Sequence, residues 1–265
     1  MNTVLIVLAC LFAPPVLGGL TAGSMNYCQA KKEGRQLPSL FQTFSTFMSK
    51  LRQPAAGQRS LQWALLSLSF QIAAIVLLGL QKTLPPVLLL YTAGAWVLLF
   101  ATSFRPVSIS GPDLTHAVRS LLTLQPLLFL VMAGLYFVTG GFSLQILPEI
   151  PRVLGIDLPL LWLILPVVEY ETRQTMTAYF PADGPLASVM ALTQCYASGS
   201  VLLLAGFFWT RSVAGAMACA VILQISLSLL RFVRAPWLSK LADYWGYVYF
   251  TGVVNLLWVY IKYWQ

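Results

Sequence analysis

Charge is scarce in this chain: only 9% of its 265 residues are charged, and eight of these are acidic. Soluble domains carry roughly 25% charged residues, so the composition excludes an ordinary soluble protein. The four cysteines are scattered without a CxxC pair and there is one histidine, which argues against a metal or iron–sulfur site. Gly-rich phosphate loops, HExxH and GxSxG are also missing. We expect a non-catalytic chain with no cofactor or metal of its own.

Apolar sequence is abundant, at 58% of the residues and a mean hydropathy of +0.77. A helix needs about 20 apolar residues to cross a hydrocarbon layer roughly 30 Å thick. The runs are apolar on every side and do not alternate, so they predict helices and not a β-barrel. The sequence therefore predicts one all-α multi-pass membrane domain over residues 1–265, with about eight transmembrane helices at 2–24, 61–80, 85–103, 118–140, 153–168, 186–209, 212–233 and 238–262.

The basic residues indicate the orientation, because Lys and Arg near helix ends are retained on the cytoplasmic side. We expect the inner (cytoplasmic) membrane, with both termini away from the cytoplasm. Anionic lipid accounts for the net charge of +8 without a nucleic-acid partner. With eight spans, the loops of one side carry Lys31, Lys32, Arg35, Lys50, Arg52, Arg59, Arg105, Arg119, Arg173, Arg231, Arg234 and Lys240, and those of the other side carry Lys82, Arg152, Arg211 and Lys262.

Two polar connections are expected in the cytoplasm, at 26–60 and 169–185. The first contains an amphipathic helix over 38–52, because apolar residues recur there at three- and four-residue spacing. Pro38 is expected in the first turn of this helix. The helix either lies on the membrane surface or docks a partner subunit, and the periodicity does not separate the two. Its apolar residues are Leu40, Phe41, Phe44, Phe47, Met48 and Leu51.

The segment from Ala30 to Arg52 resembles the first cytoplasmic loop of a known family of membrane subunits. The family comprises subunit 1 of respiratory complex I and its counterpart in the energy-converting (group 4) hydrogenases. The length of this chain favours the hydrogenase branch, whose members tend to be shorter than the complex I subunit, and the resemblance is closest to the formate hydrogenlyase subunit 4-like branch. The family's loop reads approximately G-R-x-G-P-x-x-x-Q-x-Y/F-x-x-L-x-K-L, and the corresponding residues here are Gly34, Arg35, Pro38, Gln42, Phe44, Lys50 and Leu51.

The resemblance implies a membrane-anchoring and coupling subunit of an oxidoreductase or hydrogenase complex. Such a subunit docks a hydrophilic redox or hydrogenase-like module on the cytoplasmic side and links it to antiporter-like membrane subunits that translocate protons or other ions. Iron–sulfur clusters and a NiFe site would then belong to the partner subunits. By the same resemblance, the docking surface would comprise Arg35, Pro38, Gln42, Phe44, Lys50 and Arg52.

The residues that could carry protons depart from the family's pattern. The family has a Glu near the start of the fourth span, where this chain has Gln125, and an amide cannot release a proton. The loop between the fifth and sixth spans keeps Glu169, Glu171 and Asp183, and the lone histidine, His116, lies at the cytoplasmic edge of the fourth span. These residues form either a proton path or an ordinary solvated loop with a helix-end histidine. The sequence leaves both interpretations open.

A carboxylate in lipid is costly, so an acid inside a span is by default a functional candidate. None of the eight acids lies deep in a predicted span; Asp157 and Asp243 come nearest, and both are expected toward helix ends. The competing hypothesis is a self-sufficient transporter or channel. It would use broken helices and repeated halves, and the sequence offers only prolines within spans, at Pro14-Pro15 and Pro166, without an evident repeat.

Overall fold

The computed structural model describes residues 2–34, 36–39, 41–53, 58–103, 111–150, 152–165, 168, 184–232 and 245–264. These residues contain helices and one isolated β-bridge, between Thr83 and Ser143, but no strand. The prediction of an all-α protein is confirmed. The helices are α1 (Thr3–Lys32), α2 (Gln42–Leu51), α3 (Gln58–Gly79), α4 (Leu84–Ser103), α5 (Gly111–Thr139), α6 (Leu154–Asp157), α7 (Gly184–Trp209), α8 (Val213–Phe232) and α9 (Trp245–Trp264), with a 3-10 helix at Leu144–Glu149 between α5 and α6.

Within the described residues, four helices are long and apolar enough to cross a membrane. They are α1, α3, the stretch Leu84–Ala101 of α4 and the stretch Gly184–Phe207 of α7. Shorter apolar helices at Gln125–Thr139, Val213–Leu229 and Val248–Lys262 fall in the fourth, seventh and eighth predicted spans. The chain is therefore an all-α membrane protein whose helices follow the predicted apolar runs.

The fifth predicted span, 153–168, is not one continuous helix. It breaks at Leu158, where φ is −124° and ψ is 49°, and helix resumes over 159–165. The side-chain Oδ1 of Asn255, on α9, accepts hydrogen bonds from the backbone N–H groups of Leu160 and Leu161 at 2.9 and 3.1 Å. A break inside a membrane must have such partners, because lipid satisfies no backbone group.

The most buried helix of the bundle is α7, which contacts α1, α2, α3, α6 and α8. Its Phe207 and Phe208 are buried, with 2% and 1% of their surface exposed. Gly206 allows α8 to come close, because a Cβ at this position would run into the backbone of Ala216. Close approach at small residues is a common way for helices to associate in membranes.

Two buried polar side chains join α3 to α4. Ser67 Oγ donates to the carbonyl oxygen of Gly94 at 2.6 Å, and Gln71 Nε2 donates to that of Tyr91 at 2.9 Å. Both side chains are fully buried, and such bonds hold helices together where water is excluded. They fix the hairpin against which α7 packs.

The amphipathic helix begins at Gln42, four residues later than Pro38. Residues 36–39 are not helical, and the N–H of Gln42 donates to the carbonyl oxygen of Ser39 at 2.9 Å. The expectation that Pro38 occupies the first helical turn was wrong, because this turn separates it from α2. The helix contacts α1 and α7. We name this end of the bundle, where α1 ends and α7 begins, the α2 end.

Candidate functional site

Two contacts hold α2 on the bundle. The ring of Phe44 lies on α1 beside Gly19, where an added Cβ would be only 2.5 Å from Phe44 Cζ. From α7, the buried Ser188 donates from Oγ to the carbonyl oxygen of Phe47 at 3.0 Å. An aromatic ring on a glycine and a buried hydrogen bond give α2 a defined position against both helices.

A groove of about 430 Å³ lies between α2 and the first turns of α7. We name it the α2 groove. Its polar lining comes mainly from Asn26, Gln42, Thr46, Lys50 and Ser188, and Pro38 is one of its apolar lining residues. Thr43 also faces it, and the hydroxyl of Thr43 is buried without a hydrogen-bond partner in the described part of the chain.

Five of the six residues predicted to dock a partner are described, and they divide into three groups. Pro38, Gln42 and Lys50 line the α2 groove, and Phe44 packs against α1. Arg52 is exposed at the end of α2, where a partner could reach it. Arg35 lies outside the described residues. The resemblance therefore marks residues that position α2 and line its groove as well as one surface charge.

The apolar face of α2 is only partly covered by the rest of the chain. Phe41 is 67% exposed, and Met48 and Leu51 are 47% and 44% exposed. Leu37, just before the helix, is 52% exposed. An exposed apolar stripe at the end of a membrane bundle meets either lipid at the interface or a partner subunit.

Of the predicted proton-path residues, the structure describes the side chain of Gln125 alone. Gln125 lies partly buried on α5, next to Pro126. The backbone of His116 is part of α5, but its side chain is outside the described set. Glu169, Glu171 and Asp183 all lie outside the described residues. The proton path stays a prediction.

At the opposite end of the bundle, the structure reveals a buried charge pair that the sequence did not indicate. Lys262 Nζ lies 2.6 Å from Asp157 Oδ1, and the side chains are 33% and 1% exposed. Asn255 Nδ2 donates to the backbone carbonyl of Asp157 at 3.2 Å. We name Asp157, Asn255 and Lys262 the Asp157 cluster.

Asp157 was expected at a helix end, and it does end α6, but its side chain is enclosed by protein. The reason is tertiary: α9 presents Asn255 and Lys262 on one face, seven residues apart, against the break in the fifth span. Asp157 and Lys262 are 105 residues apart in sequence, so spacing could not join them. The sequence offered one signal: Asp157 and Lys262 are an acid and a lysine in apolar sequence, predicted on the same side of the membrane. Asp243, the other candidate, lies outside the described residues.

The cysteines do not form a site in the described structure. None of the four forms a disulfide, and no group of three or more His, Cys, Asp or Glu side chains among the described residues could hold a metal ion. Cys10 is buried close to Gly79 of α3, and Cys195 lies against Gly18 of α1. These positions are those of small packing residues between helices.

Comparison with known proteins gives a fold likeness without a sequence family. No family model matches the chain, and no curated protein matches it. Among solved structures, it is similar to a chain of the membrane-bound sulfane sulfur reductase (MBS), an archaeal respiratory membrane complex, with 14% sequence identity and a TM-score of 0.70. The alignment covers 98% of this chain and 100% of that one. The fold of this chain is therefore one found in a respiratory membrane complex, and the likeness does not favour the formate hydrogenlyase-like branch.

Proposed function

We propose that the chain is the membrane-anchoring and coupling subunit of a complex I-like or energy-converting hydrogenase-like redox complex. The observation that carries the proposal is the fold likeness over 98% of the chain to a chain of a respiratory membrane complex. The loop sequence from Ala30 to Arg52 supports it independently, because its resemblance to the complex I and hydrogenase family rests on residue identities and not on the fold.

In this proposal the α2 end faces the cytoplasm and receives the hydrophilic module. The contacts that hold α2 on α1 and α7 support that role, because a docking surface that is already ordered costs less entropy when the partner binds. The charged residues Lys50 and Arg52 would guide the partner, and the connection at 169–185 would complete the platform. Antiporter-like subunits would lie beside the bundle in the inner membrane, with both termini of this chain on the far side.

The first test is affinity purification of the chain from its native membrane in a mild detergent, followed by mass spectrometry. We expect a hydrophilic redox or hydrogenase-like subunit and antiporter-like membrane proteins to co-purify. Recovery of a monodisperse chain without partners would contradict the proposal.

A charge reversal tests whether α2 is the docking surface. Arg52→Glu places a negative charge at the exposed end of α2, and we expect recovery of the hydrophilic subunit to fall at least fivefold, with the membrane partners retained. Lys82→Glu is the matched control, because Lys82 is exposed in the turn between α3 and α4, at the opposite end. Equal losses in both variants would show a general effect of charge.

One observation favours the second candidate, a stand-alone transporter or channel. Transporters place discontinuous helices and ionisable residues at their binding sites, and the fifth span breaks beside the buried Asp157. If this candidate is right, liposomes containing the chain alone will show ion flux that Asp157→Asn abolishes. Silent liposomes, together with partner subunits in the purification, would exclude it.

A further inference from the structure

A second cavity lies between the membrane-spanning helices, on the same side of α7 as the α2 groove. It measures about 80 Å³, and its walls come from residues between Ala9 and Gly18 of α1 and between Cys195 and Leu203 of α7, with contributions from α3 and α8. The lining is almost entirely apolar, with Gln224 of α8 at one edge. The cavity suits hydrocarbon and not a charged or strongly polar ligand.

The groove and the cavity lie on one face of α7. Ser188 and Ala191 line the groove, and Cys195, Gly199 and Leu202 line the cavity. These residues follow one another at intervals of three and four, which is one stripe of a helix. The two spaces therefore follow each other along α7, from the α2 end toward the middle of the bundle.

The same order holds on α1, which runs antiparallel to α7. Gly18 faces Cys195 and Pro14 faces Gly199, and Tyr196 Oη donates to the carbonyl oxygen of Leu11 at 2.7 Å. Asn26, in the groove, is eight residues beyond Gly18 along α1, or about 12 Å at 1.5 Å per residue. We name this line of contact, with its groove and cavity, the α1–α7 seam.

Among the described lining residues, the groove end of the seam holds the one cationic residue and most of the polar residues. Lys50, Gln42 and Asn26, one residue with an ammonium group and two with amides, are among its lining residues. Ala187 and Ser188 come from the first turns of α7, where the helix dipole favours a negative charge. Among the described residues between 26 and 60, Glu33 is the one acid, against Lys31, Lys32, Lys50, Arg52 and Arg59.

We propose that the α1–α7 seam binds one anionic phospholipid, with its phosphate headgroup in the α2 groove and a segment of one acyl chain in the apolar cavity. The positive, hydrogen-bonding groove matches a phosphate diester, and the apolar cavity beyond it matches a hydrocarbon chain. The exposed apolar residues Phe41, just before α2, and Met48 on α2 place the groove at the level of the lipid headgroups. This inference needs only membrane insertion and does not depend on the proposed redox complex.

The test uses the full chain, purified in detergent with equal amounts of phosphatidylglycerol and phosphatidylcholine added, and native mass spectrometry to count retained lipids. We expect one retained phosphatidylglycerol per chain, and a loss of about tenfold in its affinity with Lys50→Gln, the effect of removing one charge-assisted hydrogen bond. Arg59→Gln is the matched control, because it removes a cation at the same end that does not line the groove.

A second pair of variants tests the acyl-chain cavity. Ala220→Leu fills the cavity and is expected to lower lipid retention about tenfold, whereas Ala218→Leu, on the exposed side of the same helix, is expected to leave it unchanged. Gel filtration shows whether each variant remains folded and monodisperse. Equal retention of the two lipids, indifference to Lys50→Gln, or a neutral isoprenoid lipid in place of phosphatidylglycerol would each overturn the proposal.

Discussion

At the scale of single residues, the carboxylate of Asp157 is the most unusual group in the described structure. A carboxylate with 1% of its side chain exposed is stable only when it is paired, because burial removes its hydration. Lys262 provides the ammonium at 2.6 Å and stays one-third exposed. The ion pair therefore joins α9 to the end of α6 at the edge of the bundle.

Removing the ammonium should leave Asp157 buried without this partner. We expect Lys262→Met to lower the free energy of unfolding by about 3 kcal/mol, as when one partner of a buried ion pair is removed. Denaturant or thermal unfolding in detergent measures the loss. The double variant Asp157→Asn, Lys262→Met should recover most of it, and Lys82→Met, at an exposed lysine, should change stability by less than about 0.5 kcal/mol. A single variant as stable as the wild type would mean that the pair is not formed in the membrane protein.

At the scale of secondary-structure elements, the fifth span shows how one helix depends on another. Its break leaves the N–H groups of Leu160 and Leu161 without partners in their own helix, and Asn255 supplies one oxygen for both. The same amide donates to the carbonyl of Asp157. A single side chain of α9 therefore holds the backbone on both sides of Leu158.

Replacing the Asn255 side chain tests whether its amide caps the broken fifth span. Asn255→Leu should lower the free energy of unfolding by about 2 kcal/mol or more, because two buried N–H groups lose their acceptor. Thr92→Val is the comparison, because the hydroxyl of Thr92 bonds only to carbonyl oxygens of its own helix, those of Leu88 and Leu89. If Asn255→Leu loses no more stability than Thr92→Val, water and not Asn255 satisfies the N–H groups at the break. Hydrogen exchange at Leu160 and Leu161 reports the cap directly.

The contact between α7 and α8 depends on a glycine. Gly206→Ala would push a methyl group into the backbone of Ala216, which cannot move as a side chain can. We expect a loss of about 1–3 kcal/mol from this overpacking, measured by unfolding in detergent. At Gly141 an added Cβ would meet Ile146 Cδ1 at 3.5 Å, an ordinary contact, so Gly141→Ala should be nearly neutral. Equal losses of stability in the two variants would mean that the close approach of α7 and α8 does not cause the loss in Gly206→Ala.

At the scale of the whole molecule, the proposed coupling role can be tested at position 125, because the chain has only eight acids. Gln125→Glu restores the carboxylate that the resembled family has at this place. In the assembled complex, we expect it to raise the number of ions moved per electron pair, because a carboxylate can exchange a proton and an amide cannot. Vesicles containing the intact complex, with ion uptake measured against substrate turnover, would show the change. An unchanged ratio would mean that position 125 serves only packing.

The apolar runs by themselves determined the class of this protein and most of its helices. Runs of about 20 residues fit only membrane-spanning helices, since lipid leaves no other way to satisfy the backbone, and the spacing of Phe41, Phe44, Phe47 and Met48 predicted a surface helix. Local spacing is sufficient for such elements, because a helix satisfies its own hydrogen bonds. The predicted start of α2 was nevertheless wrong, because the spacing of apolar residues does not report the turn between Ser39 and Gln42 that precedes the helix.

Only the tertiary structure decided which helices meet and what they bury. The pairing of Asp157 with Lys262 joins residues 105 positions apart, and the cap that Asn255 provides depends on the rotation of α9 about its axis. Whether Phe44 faces α1 or lipid, and whether Lys50 lines a groove or extends into water, likewise depends on how α2 sits on α1 and α7. Apolar sequence selects burial in the membrane, but it does not select the neighbour, because lipid and another helix are nearly equal partners for an apolar face.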